Sequence, residues 1–194
     1  MIKNWLAPLA IIALTILFLM FWDTPPQSFL NPEPEPQAKT KYPSNILQNT
    51  INREYDDQGQ LKSVFETKES RYFQVQRKRR TNKDYAELME PKLTLLSTSA
   101  PPWRIIADEG RAEQNGDIIH LWGNVHIWQK DKLGQMSELT TPYLTVKPKR
   151  QYAETDKPVM IITADSKTEA VGMRAFLQHD KIQLLSKVRG IHEP

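Results

Sequence analysis

Cysteine is absent from the chain of 194 residues, and glycine is scarce, with seven residues against fourteen prolines. The absence of cysteine excludes disulfides and thiol chemistry. The formal net charge is only +3, which gives no argument by itself for nucleic acid as a partner. Hydrophobic residues make up 39% of the chain, enough for the core of one domain with an appendage.

Patterns typical of catalysis or metal binding are missing as well. His120 and His126 are six residues apart on a predicted strand, about 20 Å, which is too far to bind one metal ion. The sequence has no nucleophile elbow, no glycine-rich phosphate loop and no metal-ligand spacing. We therefore predict a protein that is not an enzyme and that has no cofactor and no metal site.

The longest uncharged stretch runs from Trp5 to Trp22 and reads WLAPLAIIALTILFLMFW. As an α-helix it would span roughly 27 Å, close to the thickness of the hydrocarbon core of a bilayer. A cleaved signal peptide is the alternative, but bulky residues occupy the place where a peptidase requires small ones. We predict an uncleaved transmembrane anchor over residues 1–23. Because Lys3 precedes the span and Asp23 follows it, the N-terminus is expected in the cytoplasm.

Residues 24–45 contain six prolines within DTPPQSFLNPEPEPQAKTKYP. Such a segment cannot form a packed core and favours polyproline II, which makes it a semi-rigid spacer. The remaining residues, 46–194, are predicted to form one all-β domain.

The predicted strands of this domain are separated by turn signals. DDQG (56–59), QNGD (114–117) and KLG (132–134) interrupt runs of alternating apolar and polar residues. Asn115-Gly116 is the strongest signal, since both residue types tolerate the positive φ of a hairpin turn. No long amphipathic helix is predicted after the linker.

An internal repeat is visible within the β region. PKLTLL, WRIIADEGRA and IIHLWGNVHI are followed in the same order by PYLTVK, VMIITADSKTEA and KIQLLSKVRGI. One parity of each block is aliphatic, which predicts a shared interior. The alignment pairs the following positions: Pro91 with Pro142, Leu93 with Leu144, Leu95 with Val146, Ile105 with Ile162, Ala107-Asp108 with Ala164-Asp165, and Ile119, Leu121 and Val125 with Ile182, Leu184 and Val188. A jelly roll or a solenoid-like sandwich is the architecture that this repeat favours.

The first copy contains the strand IIHLWGNVHIW, which is apolar on one face and aromatic on the other. We predict that Ile119 to Ile127 form the interior wall, with Gly123 leaving room for a neighbouring strand or a lipid. Trp122 and Trp128 on the other face predict a surface that is covered or lies at an interface.

These motifs together resemble the LptC family of lipopolysaccharide export proteins. The resemblance rests on LWGNVHI preceded by IIADEGRAEQNGD, on the repeated Pro-x-Leu-Thr blocks and on the closing SKVRGIHE. It implies a periplasmic β-jellyroll of twisted antiparallel sheets, open along one side, behind one transmembrane helix in the inner membrane. It also implies lipopolysaccharide as the cargo, with the LptB2FG transporter (LptF and LptG) and periplasmic LptA as partners.

The resemblance and the aliphatic parity together suggest a lipid-binding groove. The resemblance implies that Thr50, Leu88, Ile182 and His192 face lipid. The parity adds the following residues: Leu93, Leu95, Ile105, Ile119, Leu121, Val125, Ile127, Leu184 and Val188. A closed core would use the same residue types, because both arrangements gain from apolar burial at roughly 25 cal/mol per Å².

The C-terminal strand is the predicted docking edge for LptA. An unpaired edge offers free N–H and C=O groups to a strand of a partner, whatever its side chains. The predicted edge residues are Val188, Arg189, Gly190 and Ile191. Because the chain stops close to His192, this edge is short.

The basic run QRKRRTNKD contains Arg77, Lys78, Arg79, Arg80 and Lys83. A solvated hairpin loop is one interpretation, and contact with anionic lipid or with a partner is another. Nucleic acid is a third, which an exported domain would seldom meet.

The sequence therefore supports a leading hypothesis and an alternative. The leading hypothesis is a membrane-anchored bridge that carries lipopolysaccharide through an apolar groove without binding nucleic acid. The alternative is a closed β scaffold that assembles a membrane complex without carrying lipid.

Overall fold

The computed structural model describes residues 14–15, 42–76, 79–97, 101–131 and 133–192. The chain divides into two units, Met1–Lys39 and Thr40–Pro194. Apart from Leu14 and Thr15, the predicted anchor lies outside the described residues, as does most of the predicted linker. Within the described residues, no helix has the length and apolar character needed to cross a bilayer. The anchor and the linker therefore stay predictions.

The described part of the second unit is all-β, with three short 3-10 helices in turns. Its strands are β1 (Asn45–Tyr55), β2 (Leu61–Phe73), β3 (Tyr85–Met89), β4 (Lys92–Leu95), β5 (Trp103–Ile106), β6 (Glu109–Glu113), β7 (Ile118–Lys130), β8 (Met136–Lys147), β9 (Tyr152–Ile162), β10 (Ser166–Phe176) and β11 (Lys181–His192). The 3-10 helices are Gln114–Gly116, Pro148–Arg150 and Leu177–His179.

All strands pair antiparallel in one sheet that follows the order of the chain. β3 and β4 pair with successive parts of β2, so together they act as one long bent strand. β5 and β6 pair in the same way with successive parts of β7. The sheet is therefore a meander, in which β1 and β11 occupy the two edges.

A line of backbone irregularities crosses the sheet near the middle of its long strands, and we call it the bend line. Asn49, Glu90, Asn124 and Lys187 have positive φ on this line, and the pairing register shifts there in β7 to β10. The Oγ1 atom of buried Thr141 lies 3.2 Å from the carbonyl of Tyr143 and 3.0 Å from that of Pro158. Such contacts satisfy carbonyls that the interrupted ladder leaves unpaired.

The bend line divides the sheet into two layers. Layer one contains β3, β6 and the strand segments that pair with them, and layer two contains β4, β5 and their paired segments. Cross-strand partners share a face of a sheet. In layer one an inward row follows the pairs Ile119, Val146, Ala153, Ala175 and Ile182. In layer two an inward row follows Ile105, Ile127, Leu139, Ile161, Thr168 and Gly190.

The two inward faces form one hydrophobic core. Buried Leu88 and Leu121 of layer one belong to the same cluster as Leu93 and Ile127 of layer two. β7 shows how the sequence produces this core, because its apolar parity is buried and its other parity is half-buried or exposed. The predicted all-β class with antiparallel pairing is confirmed, and the transmembrane helix of that prediction lies mostly outside the described residues.

The predicted turns are confirmed. Gly59 and Gly134 adopt positive φ between β1 and β2 and between β7 and β8. Asn115 and Gly116 also have positive φ, 60° and 92°, in the turn between β6 and β7. The strands on either side of each turn end and begin next to the turn residues that the sequence predicts.

The internal repeat is real, but two of its three blocks are aligned wrongly. Pro91 begins a strand that enters layer two, whereas Pro142 lies in β8, which runs the opposite way. The counterpart of β3 is β9, where Tyr85-Ala86-Glu87 and Pro91 are repeated as Tyr152-Ala153-Glu154 and Pro158.

The middle block is misaligned for the same reason. Ala107-Asp108 lies on the bend line, whereas Ala164-Asp165 lies in the turn between β9 and β10. Ile105 is buried, whereas Ile162 is 46% exposed. The counterpart of β6 is the second part of β10, which repeats Arg111-Ala112 as Arg174-Ala175. An alternating apolar pattern reads the same in both chain directions. Short apolar segments can therefore be aligned with strands that run in opposite directions.

Gly123 has one of the two roles predicted for it. Its φ is +72°, and a Cβ atom there would lie 2.8 Å from Oδ2 of Asp108. The backbone N–H of Asp108 donates to the Gly123 carbonyl over 2.9 Å. The space is therefore occupied by Asp108, which lies between β5 and β6 on the strand that neighbours β7. Glycine leaves room for this neighbouring strand and not for a lipid, and it also tolerates the positive φ of the bend.

Candidate functional site

The central part of the inward surface is filled by side chains. Eight of the thirteen predicted groove residues are buried in the common core: Leu88, Leu93, Leu95, Ile105, Ile119, Leu121, Val125 and Ile127. Because each of them packs against residues of the core, no lipid has access to them in this state. The sequence could not distinguish a filled core from an open groove, and here the core is filled.

At the C-terminal edge the inward surface becomes accessible. Ile182 and Leu184 are only partly buried against the core, and Val188 is 53% exposed. His192 lies beyond them at the exposed end of β11, in register with Ser166. This end therefore presents an apolar surface that is continuous with the buried interior.

A cavity of about 1160 Å³ follows the bend line across β7 to β11. Its lining combines residues of both parities of layer two: Val159, Ala170 and Val188 of the inward parity with His126, Thr140 and Met160 of the outward parity. Polar side chains, including Glu169 and Arg189, also border it. Its volume suits a ligand of considerable size, and its border combines apolar with charged groups.

At the N-terminal edge, Thr50 lies on the bend line opposite the buried Thr67. It borders a cavity of about 360 Å³, together with Lys68 and Glu90, which form an ion pair of 2.6 Å. On the same strand the inward-facing Leu47 is half exposed. The N-terminal end thus resembles the C-terminal end in leaving apolar groups accessible.

Opposite the bend line, the free ends of the two layers are joined by polar contacts, which we call the latch. Asp180 of the turn between β10 and β11 accepts hydrogen bonds from Trp103 Nε1 (3.2 Å) and Gln129 Nε2 (3.1 Å). Gln151 Nε2 donates to the carbonyl of Leu96 over 2.9 Å. These contacts connect layer one with layer two without strand pairing.

Both edges of the sheet are open to a further strand. Among the described residues β11 pairs only with β10, and β1 pairs only with β2. The predicted docking residues Val188, Arg189, Gly190 and Ile191 all lie in exposed positions of β11. β1 exposes Ile46 and Ile51 in addition, so either edge offers backbone groups and apolar side chains.

On the outward face of β7, the polar side chains are paired. Trp122 Nε1 donates to Glu109 over 2.9 Å, and His126 lies 3.0 Å from Glu138 and stacks on Trp128. Trp122 and Trp128 are half-buried rather than covered. The prediction that this aromatic side is a covered surface is therefore not supported within the domain itself.

On the same face of the sheet, Glu154 forms an ion pair with Lys147 that shifts the pKa of Glu154. The hydrogen bonds that Glu154 accepts from Lys147 Nζ (3.0 Å) and the Tyr152 hydroxyl (2.8 Å) hold the pKa of Glu154 below its ordinary value. Burial raises the pKa of Tyr152, and the bond to Glu154 raises it further. Within the described residues, no group of three or more histidine or acidic side chains could hold a metal ion.

Comparison with known proteins identifies the family. The family described as "Lipopolysaccharide-assembly, LptC-related" matches residues 8–193, nearly the whole chain. The chain belongs to this LptC-related family. Its function is therefore in lipopolysaccharide transport, and the resemblance found in the sequence is confirmed. No curated protein matches the sequence.

One solved structure with a related outline is LptH from Pseudomonas aeruginosa, described as the LptA homologous periplasmic component of the conserved lipopolysaccharide transport device. It is 10% identical, with a TM-score of 0.46, and the match covers 80% of this chain and 99% of that one.

Sequence reasoning missed much of the interior of this LptC-related chain. The repeat already placed Leu144 and Val146 in the interior, and both are buried. The other buried residues of β8 to β10 were not selected, although their alternation was readable: Leu139, Val159, Ala170 and Met173. The latch was missed because Trp103, Gln151 and Asp180 carry no local pattern. Their contacts join residues far apart in the chain, which only the fold brings together.

Proposed function

We propose that this LptC-related chain is a single-pass inner-membrane protein whose periplasmic domain bridges LptB2FG and LptA. Lipopolysaccharide would pass along the inward face of the bent sheet, with its acyl chains against the apolar rows. The chain would act as a conduit and not as an enzyme, and its partners would supply the energy.

The observation that carries this proposal is the position of the two open edges. β1 and β11 lie at opposite ends of one continuous sheet, and the same inward apolar face connects them. A partner strand on each edge would extend the sheet and its apolar face into the neighbouring domains. We place LptF or LptG at β1 and LptA at β11.

Passage of lipid requires a change in the domain, because the central interior is filled. Val125, Leu144 and Val146 have no exposed surface. Acyl chains would have to displace such contacts by separating the two layers at the latch. The apolar surface of the chains would then replace the side-chain contacts that the separation removes.

Reconstitution tests this proposal. Vesicles that contain LptB2FG with the full chain should deliver lipopolysaccharide to soluble LptA when ATP is added. Ile191→Lys should abolish most of this delivery, because a lysine on the exposed edge disfavours strand addition. The matched control, Gln135→Lys, places a lysine in the exposed turn between β7 and β8, away from both edge strands, and should leave the delivery unchanged. Delivery that proceeds equally well without the chain would rule out the bridge.

The filled interior favours a second candidate function, a closed scaffold that assembles the complex without carrying lipid. In that case the edge variant would dissociate the complex, but no lipopolysaccharide would crosslink to inward positions such as Leu184. Crosslinking from Leu184, without crosslinking from outward Gln183, would exclude the scaffold.

A further inference from the structure

The turn between β2 and β3 is built on one buried carboxylate. Asp84 is 3% exposed and accepts hydrogen bonds from the backbone N–H groups of Val75 and Thr81, both 2.9 Å long, and from the hydroxyls of Thr81 and Tyr72, both 3.0 Å long. Burial by itself would raise the pKa of Asp84, but these hydrogen bonds outweigh it and hold the pKa below its ordinary value. The carboxylate therefore stays ionised and holds Val75 and Thr81 in place. Arg77 and Lys78 of the basic run lie between them, outside the described residues.

This turn presents three cations to solvent. Arg79, Arg80 and Lys83 are exposed, and Arg79 Nε donates to Gln76 over 3.0 Å. In the part of the chain that the structure describes, none of the three forms an ion pair with a carboxylate. By contrast, Arg111 and Lys147 of layer one are paired with Glu87 and Glu154. The turn is therefore a local excess of positive charge.

The turn also lies at the end of the apolar interior. Tyr72 is in register with Ala86, which pairs with Ala112 and through it with the buried Ile119. Tyr72 thus belongs to an inward row of layer one. The guanidinium of Arg80 lies 5.9 Å from the centre of the Tyr72 ring, so Arg80 stands where this row reaches the solvent.

The accessible end at β1 is next to this turn. Tyr72 pairs with Asn45 at the start of β1, and the hydroxyl and N–H of Ser44 both donate to the Tyr72 carbonyl. Leu47, two residues further along β1, is half exposed on the inward face. An apolar surface and an unpaired cationic turn therefore adjoin at the edge where lipid would enter.

We propose that Arg79, Arg80 and Lys83 bind the phosphate groups of lipid A while its acyl chains lie against the inward face beside β1. This inference rests on the proposed function and names the group of the cargo that the turn recognises. Two arginines favour phosphate binding, because a guanidinium donates two parallel hydrogen bonds to one phosphate, whereas an ammonium acts as a point charge. The buried Asp84 keeps the turn in place before the ligand arrives, which lowers the entropy lost on binding.

Binding of defined lipids to the full chain in detergent tests the assignment. The probes are lipid A with both phosphates and the same lipid with its phosphates removed. Changing Arg79, Arg80 and Lys83 together to glutamine should weaken binding of the phosphorylated lipid about tenfold or more, since each charge-assisted hydrogen bond contributes more than a neutral one. The dephosphorylated lipid should bind the variant and the unchanged protein equally.

A matched control removes the same amount of charge elsewhere. Lys130, Lys157 and Lys181 are exposed and distant in sequence from the turn, and changing all three to glutamine should leave the affinity for both lipids within about twofold, because exposed charges away from the ligand are screened by salt. Arg80→Lys should give an intermediate loss. It keeps the charge but removes the paired hydrogen bonds.

The remaining outcomes overturn the inference in distinguishable ways. Equal loss with both lipids, or no loss with either, would show that the turn does not recognise phosphate. If the turn variant loses binding only to vesicles of phosphatidylglycerol, the turn docks on a bilayer surface and not on the cargo. If the unchanged protein binds neither form of lipid A, the proposed function fails as well, and this inference fails with it.

Discussion

β7 and β11 carry the same pattern but have different surroundings. Both begin in layer one, cross the bend line at a residue with φ near 50° (Asn124 and Lys187) and end in layer two. Ile119, Leu121 and Val125 in β7 correspond to Ile182, Leu184 and Val188 in β11. Yet Val125 is 0% exposed, whereas Val188 is 53% exposed.

The difference comes from the neighbours of the two strands. β7 has β5 and β6 on one side and β8 on the other, whereas β11 pairs only with β10 among the described residues. The same aliphatic parity is therefore core in β7 and an accessible apolar surface in β11. Variants at corresponding positions of the two strands separate these roles.

The largest difference is expected for a charge on the inward face. Val125→Asp should lower the free energy of unfolding by about 4 kcal/mol or more, because an unpaired carboxylate would be buried. Val188→Asp should change it by less than about 1 kcal/mol, since its carboxylate remains in water. Urea unfolding, followed by tryptophan fluorescence, measures both. Equal losses would mean that β11 is as enclosed as β7.

A smaller difference is expected when an apolar side chain is shortened. Leu121→Ala should cost about 3 kcal/mol, because a cavity remains in a filled core. Leu184→Ala should cost about 1 kcal/mol, because its side chain is only partly removed from water. The same unfolding experiment checks this. If the order is reversed, the packing assigned to the two strands is wrong.

The latch should contribute less than either core position. Trp103→Phe keeps an aromatic ring but removes the 3.2 Å bond to Asp180, and about 1 kcal/mol of stability should be lost with it. Trp122→Phe is the matched control, because it removes a bond of similar length to the exposed Glu109. The control should cost less than about 0.5 kcal/mol. A larger effect at Trp122 would argue against a structural role for the latch.

The smallest effect is expected on the bend line. Lys187 has φ of 49°, which asparagine tolerates better than lysine. Lys187→Asn should therefore raise the free energy of unfolding by about 0.5 kcal/mol, and Asn124→Lys should lower it by a larger amount, since it also removes the 2.7 Å bond to Asp108. Thermal unfolding of the two variants measures the signs. If Lys187→Asn lowered the free energy of unfolding, or if Asn124→Lys raised it, the equivalence of the two bends would be refuted.

Local chemistry made much of the fold predictable. Alternation identified the strands, and Asn115-Gly116 marked a turn because both residues accept positive φ. The alignment of the repeat was wrong, because PYLTVK and PKLTLL have the same alternating pattern but lie in strands that run in opposite directions. The bend line was missed as well, because Asn124 and Lys187 share a conformation without sharing a residue type.

The candidate site was predictable only in part. The inward parity of β7 could be read from Ile119 to Ile127, but its enclosure depends on Leu144 and Val146, which lie on the neighbouring strand. The exposure of Val188 arises because, in the described part of the chain, no strand lies beyond β11. The burial of a side chain depends on the neighbouring strands, so it cannot be predicted from the sequence of one strand alone.

The measurement that tests the central claim most directly uses the absence of native cysteine. In single-cysteine variants Val188→Cys and Ile191→Cys, the first thiol lies on the inward face of β11 and the second on the outward face. Lipopolysaccharide should slow maleimide labelling of Cys at the first position in proportion to its concentration and leave the second unchanged. Labelling that is unaffected at the first position, or slowed equally at both, would contradict an accessible inward face that binds lipid.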